Sequence, residues 1–294
     1  MFEVVILSGK GGTGKTSLTA AFAHLSSDQV ICDLDVDAPD LHLILSPQKT
    51  TTEKFYAGHD AKIVIEKCDV CRQCAEMCRF GAVSIATSFV NIDPLKCEGC
   101  RVCVEFCPQD AIDFTIKQCG EWYLSDTRFG WMVHAQLFPA EENSGKLVAV
   151  LRKKAKEVAK QNQLSLILSD GPPGIGCPVI SSLSGASFAA IVTEPTPSGR
   201  HDLERVAELC RHFSIPTGVI VNKSDLNQKM TNQIESYCIE NSITILGSLP
   251  HDPVVTQAMV AGQPITEFQS NGFAAQVRQI WQHIEEIAAI GITA

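Results

Sequence analysis

Four cysteines stand at Cys68, Cys71, Cys74 and Cys78, and the same spacing returns 29 residues later at Cys97, Cys100, Cys103 and Cys107. Each half reads C-x2-C-x2-C-x3-C, and the apolar run Ala82–Ile85 recurs at the same offset as Ala111–Phe114. Ligand-type and core-type residues that repeat together point to a duplicated small domain. Nine of the 13 cysteines lie between Ala61 and Cys119. Disulfides would explain that density in a small secreted protein. A chain of 294 residues that opens on a strand-like "MFEVVILSG", with no basic leader, is not of that kind. Metal or redox chemistry is the better reading.

Two-residue spacings let three thiolates converge on one cubane cluster, while the fourth, three residues on, reaches a second. The segment resembles a bacterial-type ferredoxin with two [4Fe-4S] clusters. The resemblance implies that Cys68, Cys71, Cys74 and Cys107 hold one cluster and that Cys78, Cys97, Cys100 and Cys103 hold the other. Pro108 matches the proline that follows the fourth cysteine in that family, and Arg79 departs from it in the first half. Zinc sites usually show two C-x2-C pairs separated by a longer loop, so zinc fits poorly. Whether the clusters carry electrons or only let a small segment fold stays open at this point.

Outside the segment the chain alternates strands and helices. Continuous β-branched runs at Glu3–Gly9, Gln29–Asp35, Leu164–Asp170, Ala189–Pro195, Thr217–Lys223 and Ile243–Pro250 read as strands covered on both faces. Helical patterns fill Lys15–Leu25, Lys146–Gln161, His201–His212, Gln228–Asn241 and Phe273–Ile290. The predicted fold is a doubly wound, mainly parallel α/β sheet built from residues 1–60 and 120–294, with an inserted α+β domain at 61–119.

"GKGGTGKT", Gly9–Thr16, is G-x4-G-K-[ST] placed after a strand and before a helix. In that context the backbone of Gly9, Lys10, Gly11, Gly12, Thr13 and Gly14 cradles phosphates, Lys15 holds the β- and γ-phosphates, and Thr16 ligates Mg²⁺, with Ser17 next in line. With its early lysine, the motif resembles the deviant Walker A of the MinD/ParA group, which also holds the nitrogenase iron protein and Mrp-type cluster carriers. The resemblance covers the whole chain outside the cysteine segment. It implies an ATP-bound homodimer in which Lys10 reaches the partner's nucleotide.

Further motifs follow the same pattern. "DLDVDAPDL", Asp33–Leu41, is similar to the group's first switch. The match implies that Asp35 positions the attacking water and that Asp33 lies near the metal, with Asp37 a weaker third candidate. "LILSDGPPG", Leu166–Gly174, resembles Walker B and the second switch, aiming Asp170 at Mg²⁺, with Gly171 and Gly174 free to move. Cys177 matches a cluster cysteine of the nitrogenase iron protein, although that protein's second ligand has no counterpart here. Cys32, Cys119, Cys210 and Cys238 read as structural. "NKSD", Asn222–Asp225, looks like the base-recognition position, with Asn222 on the purine, but it also spells the N-K-x-D of GTPases. "LPHDPVVTQAMVAGQPI", Leu249–Ile265, resembles the adenine-flanking segment, with Pro250 and Asp252 beside the base, and favours ATP. "EENSGK", Glu141–Lys146, reads as a helix start capped by Asn143 or Ser144.

The formal charge of -9 argues against a surface that coats nucleic acid. No apolar run of membrane-spanning length is present, and the last helix carries Glu285 and Glu286 instead of a basic amphipathic face. The expectation is a cytoplasmic protein of a low-oxygen prokaryote. Its function is expected to be a Mg²⁺-dependent ATPase switch with two [4Fe-4S] clusters, coupled to a redox or metalloprotein partner. The alternatives are an iron-sulfur assembly factor and a MinD-like positioning ATPase whose clusters are structural.

Overall fold

The computed structural model describes residues 1–139, 141 and 144–293, with side chains to residue 289. The strands are β1 (Phe2–Ser8), β2 (Gln29–Asp33), β3 (Gln48–Ile63), β4 (Val83–Ile85), β5 (Val90–Ile92), β6 (Ile112–Thr127), β7 (Gly130–Leu137), β8 (Leu166–Pro173), β9 (Phe188–Thr193), β10 (Thr217–Asn222) and β11 (Thr244–Leu249). The helices are α1 (Lys15–Leu25), α2 (Leu41–Leu45), α3 (Gln73–Met77), α4 (Val102–Glu105), α5 (Ser144–Gln161), α6 (Cys177–Leu183), α7 (Pro197–His212), α8 (Gln228–Glu240), α9 (Val254–Val260), α10 (Ile265–Phe268) and α11 (Phe273–Thr293).

The main sheet runs β11-β10-β9-β1-β8-β2-β7-β6-β3. From β11 to β7 every neighbouring pair is parallel. Parallel neighbours need crossover helices, and those helices cover both faces, so the central strands are buried along nearly their whole length. β1 and β9 are buried at every residue. One core, which includes Phe22, Ile31, Leu168 and Trp281, lies on the α1 and α11 side. A second, which includes Leu7, Leu183, Val206 and Ile234, lies on the α6, α7 and α8 side. This is a mostly parallel α/β sheet covered by helices on both faces.

The six continuous runs predicted as strands became β1, β2, β8, β9, β10 and β11, with ends that differ by a few residues. β3, β6 and β7 are additional. β3 starts with a fully exposed run, Gln48–Lys54, and then alternates buried and exposed residues. Such half-buried strands lack the continuous apolar run that marks the central ones. β6 and β7 are sheet neighbours joined through Arg128 and Phe129, a hairpin connection.

The chain divides into two compact units. The larger comprises Met1–Glu53, Trp122–Gln136 and Ser144–Ala294, and the smaller comprises Lys54–Glu121 and Leu137–Asn143. The smaller unit holds α3, α4 and the antiparallel pair β4–β5, in which Val83 faces Ile92. Its core is Ala61, Ala82, Ile92 and Ile112. α5 begins at Ser144, and Asn143, the other predicted cap, lies outside the described residues. No helix among the described residues is long and apolar enough to cross a membrane.

Candidate functional site

Strand register assembles the nucleotide-type site. β8 lies between β1 and β2, and Asp170 is paired with Ile6 on one side and Asp33 on the other. These positions sit toward the C-terminal ends of parallel strands, where ligands gather in such sheets. The chain then leaves β1 through Gly9–Gly14. Gly14 is left-handed, with φ 92°, and a Cβ on it would come 2.4 Å from Nδ2 of Asn222. Only glycine satisfies both conditions there. α1 starts immediately after, so its free N–H groups face the turn.

Lys15 is almost fully buried, and its ammonium lies 2.9 Å from Oδ1 of Asp170 and 3.6 Å from Oδ2 of Asp35. Burial alone would lower its pKa, but the carboxylates of Asp170 and Asp35 outweigh that and hold it above the ordinary lysine value. Thr16 Oγ1 donates to Oδ2 of Asp170 and Thr19 Oγ1 donates to its Oδ1, each at 2.8 Å. Asp33 is buried beside them. Its Oδ1 accepts the Asp35 N–H at 3.1 Å, and its Oδ2 has no partner. Burial, and then the neighbouring Asp170 charge, push the Asp33 carboxyl well above the usual carboxylate range. Burial also raises Asp35. An orphaned carboxylate oxygen beside a second buried carboxylate and a threonine hydroxyl is a donor set suited to Mg²⁺, a hard cation that takes oxygen ligands.

A cavity of about 460 Å³ opens above this cluster. Gly11–Ser17, Asp35, Asn222, Pro250 and Asp252 line it, as do Lys223, His251, Val255, Met259, Ile265 and Phe273. The structure therefore brings most of the predicted nucleotide residues to one cavity. Asp33 and Asp170 support it from below, and Asp37 is exposed away from it. Lys10 turns aside. Its Nζ lies 3.4 Å from Oε2 of Glu194 and within 3.4 Å of the hydroxyls of Thr196 and Ser198.

In the smaller unit the thiols sort four and four. One small cavity is lined by Cys68, Cys71, Cys74 and Cys107, and a second by Cys78, Cys97, Cys100 and Cys103. In each set one member comes from the other half of the repeat. Burial, and then the charges of neighbouring thiols, push Cys103 up to about 11. All eight are free thiols. Among the described residues, no three His, Cys, Asp or Glu side chains converge as ligands of one metal ion. A single tetrahedral ion needs its thiolates about 2.3 Å from one point. A four-iron cluster spreads them wider, and four soft thiolates around a common cavity are the donor set it takes.

The chain matches the CobQ/CobB/MinD/ParA nucleotide-binding domain over residues 4–265. It belongs to this family. Over 97% of its own length and 97% of the relative's, it is 28% identical to an uncharacterized protein of Methanocaldococcus jannaschii. A stretch of 128 residues is 34% identical to the cytosolic Fe-S cluster assembly factor Nubp1 homolog of Drosophila grimshawi, covering 36% of this chain and 41% of that one. Among solved structures, the septum site-determining protein MinD with Mg-ADP from Pyrococcus horikoshii aligns with a TM-score of 0.59 at 16% identity, over 99% of this chain and 98% of that one. At that identity the likeness is one of fold.

Two residues of the site, Thr19 and Phe273, lay outside the motif segments that the sequence singled out. Thr19 carries no motif, although it stands four residues after Lys15 and so shares its helix face. Of the apolar lining, Met259 and Ile265 lie within the predicted adenine-flanking segment Leu249–Ile265, whereas Phe273, from α11, lies beyond it. Cys177, at the start of α6, is exposed. Cys32, Cys119, Cys210 and Cys238 are buried.

Proposed function

We propose that this protein is a Mg²⁺-dependent ATPase that works as a homodimeric switch and carries two [4Fe-4S] clusters. Its nucleotide state gates electron transfer to, or docking of, a redox or metalloprotein partner. The observation that carries the reading is the sorting of the eight cysteines into two cavities, each with one member from the other half of the repeat. The chain order supports coupling, because the stretch Asp33–Leu41 runs through α2 into β3 and so into the cysteine-bearing unit.

On this reading, the ammonium of Lys15 exchanges its carboxylate partners for the β- and γ-phosphate oxygens of ATP. Thr16, Asp33 and Asp170 would hold Mg²⁺, which when bound neutralises charge on those oxygens. Asp35 orients a water for in-line attack on the γ-phosphorus. The bond from that phosphorus to the β-phosphate oxygen breaks, leaving ADP and phosphate. Lys10 leaves Glu194 to meet the nucleotide of the second copy. Asn222, Pro250 and Asp252 flank the base. Bound clusters at the eight cysteines would supply one-electron storage.

The test combines an ATPase assay with redox titration of the clusters followed by EPR. Lys15→Ala and Asp35→Ala should each cut turnover by about a hundredfold or more. Nucleotide should shift the cluster potentials of the unaltered protein. Potentials that stay put in a protein with normal turnover would sink the coupling. A second reading, a cluster assembly factor, is favoured by the similarity to the protein named as an Fe-S cluster assembly factor. Rapid transfer of iron and sulfide to an apo-ferredoxin would favour it.

A further inference from the structure

The N-K-S-D stretch at Asn222–Asp225 leaves one question that the cavity can answer. In N-K-x-D GTPases the last carboxylate accepts two donors from one edge of guanine. We propose that Asp225 instead clasps the wall of the base pocket shut, so that the shape of the Pro250–Asp252 loop selects adenine. This rests on the nucleotide reading of the cavity.

Asn222, Lys223 and one oxygen of Asp225 bond to the protein itself. Asn222 Nδ2 donates to the Thr13 carbonyl at 2.7 Å, and its Oδ1 accepts the Lys223 N–H at 3.0 Å. Lys223 Nζ donates to the Gly12 carbonyl at 3.2 Å and pairs with Glu194. Asp225 Oδ1 accepts the backbone N–H of His251 at 2.5 Å, across 26 residues of chain. That bond ties the loop after β10 to the loop after β11. The cavity is lined by Pro250, His251 and Asp252 but not by Asp225, which is exposed. One oxygen of the nearby Asp252 carboxylate is engaged as well, since its Oδ1 accepts the Val254 N–H at 3.0 Å as α9 begins.

The two bases would fare differently here. Guanine presents an N–H and an amino group side by side and needs an acceptor pair. The walls offered instead include Pro250, Val255, Met259, Ile265 and Phe273. A base donor left unpaired against such a wall is costly, and rejection on that ground is strong. Adenine presents one amino group and one acceptor nitrogen, which backbone groups of a well-placed loop can meet. Asp225 therefore acts through the loop and not on the base, and its bond to His251 is charge-assisted.

The experiment measures binding of AMPPNP, GMPPNP and inorganic tripolyphosphate to the full chain with Mg²⁺. The unaltered protein should prefer AMPPNP. Asp225→Ala should reduce that preference by about tenfold, the effect of losing one such bond, while leaving tripolyphosphate binding unchanged. Asp225→Asn keeps an acceptor oxygen for the His251 N–H and should keep the adenine preference. A preference for GMPPNP, or a gain of xanthosine triphosphate binding in Asp225→Asn, would show that the carboxylate reads the base. An unchanged preference in Asp225→Ala would remove the clasp. Failure of the unaltered protein to bind either nucleotide while still binding tripolyphosphate would overturn the nucleotide reading itself.

Discussion

The two compact units use cysteine in opposite ways. In the larger, Cys210 and Cys238 are ordinary core residues packed among Leu203, Val206 and Ile234, and burial pushes both thiols up to about 11. In the smaller, Cys74, Cys78, Cys97, Cys103 and Cys107 pack against the cluster of Ala61, Ala82, Ile92 and Ile112, together with Ile63, Val83, Val104 and Phe114. The larger unit has two extended apolar clusters and the smaller a short one, and a small core offsets less of its chain entropy. On the proposed reading the clusters provide the missing cohesion, because ligand binding and folding are then one process.

The largest expected effect follows from that contrast. Anaerobic removal of iron with a chelator should abolish the unfolding transition of the smaller unit and leave that of the larger unit near its original temperature. Differential scanning calorimetry and limited proteolysis within residues 54–121 would read the two units separately. A smaller unit that keeps its transition and its protease resistance without iron would break the comparison.

The same contrast explains what was legible in the sequence. The central strands were legible because burial on both faces forces continuous apolar runs, as in β1 and β9. β3 was not, because its pattern starts polar and then alternates. The repeat made the eight cysteines legible as a set, and the ferredoxin resemblance, not the repeat, implied that Cys78 lies with Cys97, Cys100 and Cys103, the grouping that lines one cavity. Lys15 and Thr16 were legible through the phosphate-loop spacing. Their link to Asp170 joins residues more than 150 positions apart, and only a motif match anticipated it. Thr19 belongs to the same cluster, but a threonine in a helix carries no signal of its own.

The larger unit should behave as a plain buried core would, and His134 tests this. It is buried, its Nε2 lies 2.8 Å from Oγ of Ser125, and it stacks obliquely near Tyr123. Burial, and then the charges of His42 and Lys49, lower its pKa to about 4 from the ordinary 6.5. The folded form therefore resists protonation that the unfolded chain accepts. Stability should be level above pH 6.5 and fall as pH drops toward 4, by at most about 3 kcal/mol. Urea titrations of the larger unit's transition across that range would show the slope. His134→Gln should flatten it, and an unchanged slope would assign the acid sensitivity to another group.

The smallest effect sharpens the comparison inside the cysteine-bearing unit, between the halves of its repeat. Val70 and Gly99 occupy equivalent positions, and both are left-handed, with φ 58° and 59°. Gly99 cannot be replaced freely, since a Cβ there would come 2.6 Å from the His59 carbonyl oxygen. Val70 bears a branched side chain in the same conformation, which costs roughly 1–2 kcal/mol. The turn is held against that strain by Asp69, whose carboxylate accepts the Cys71 N–H and the Gln109 side-chain amide, each at 3.1 Å. Val70→Gly should relieve the strain and lose part of the gain to the greater freedom of glycine in the unfolded chain. The net expectation is a stabilisation of about 0.5–1 kcal/mol, read as a rise in the midpoint of the smaller unit's transition with iron content unchanged. Gly99→Val should destabilise by more, because it adds a clash to the strain. If the two substitutions instead shift the midpoint by equal and opposite amounts, the halves share one backbone strain and the contact with His59 adds nothing.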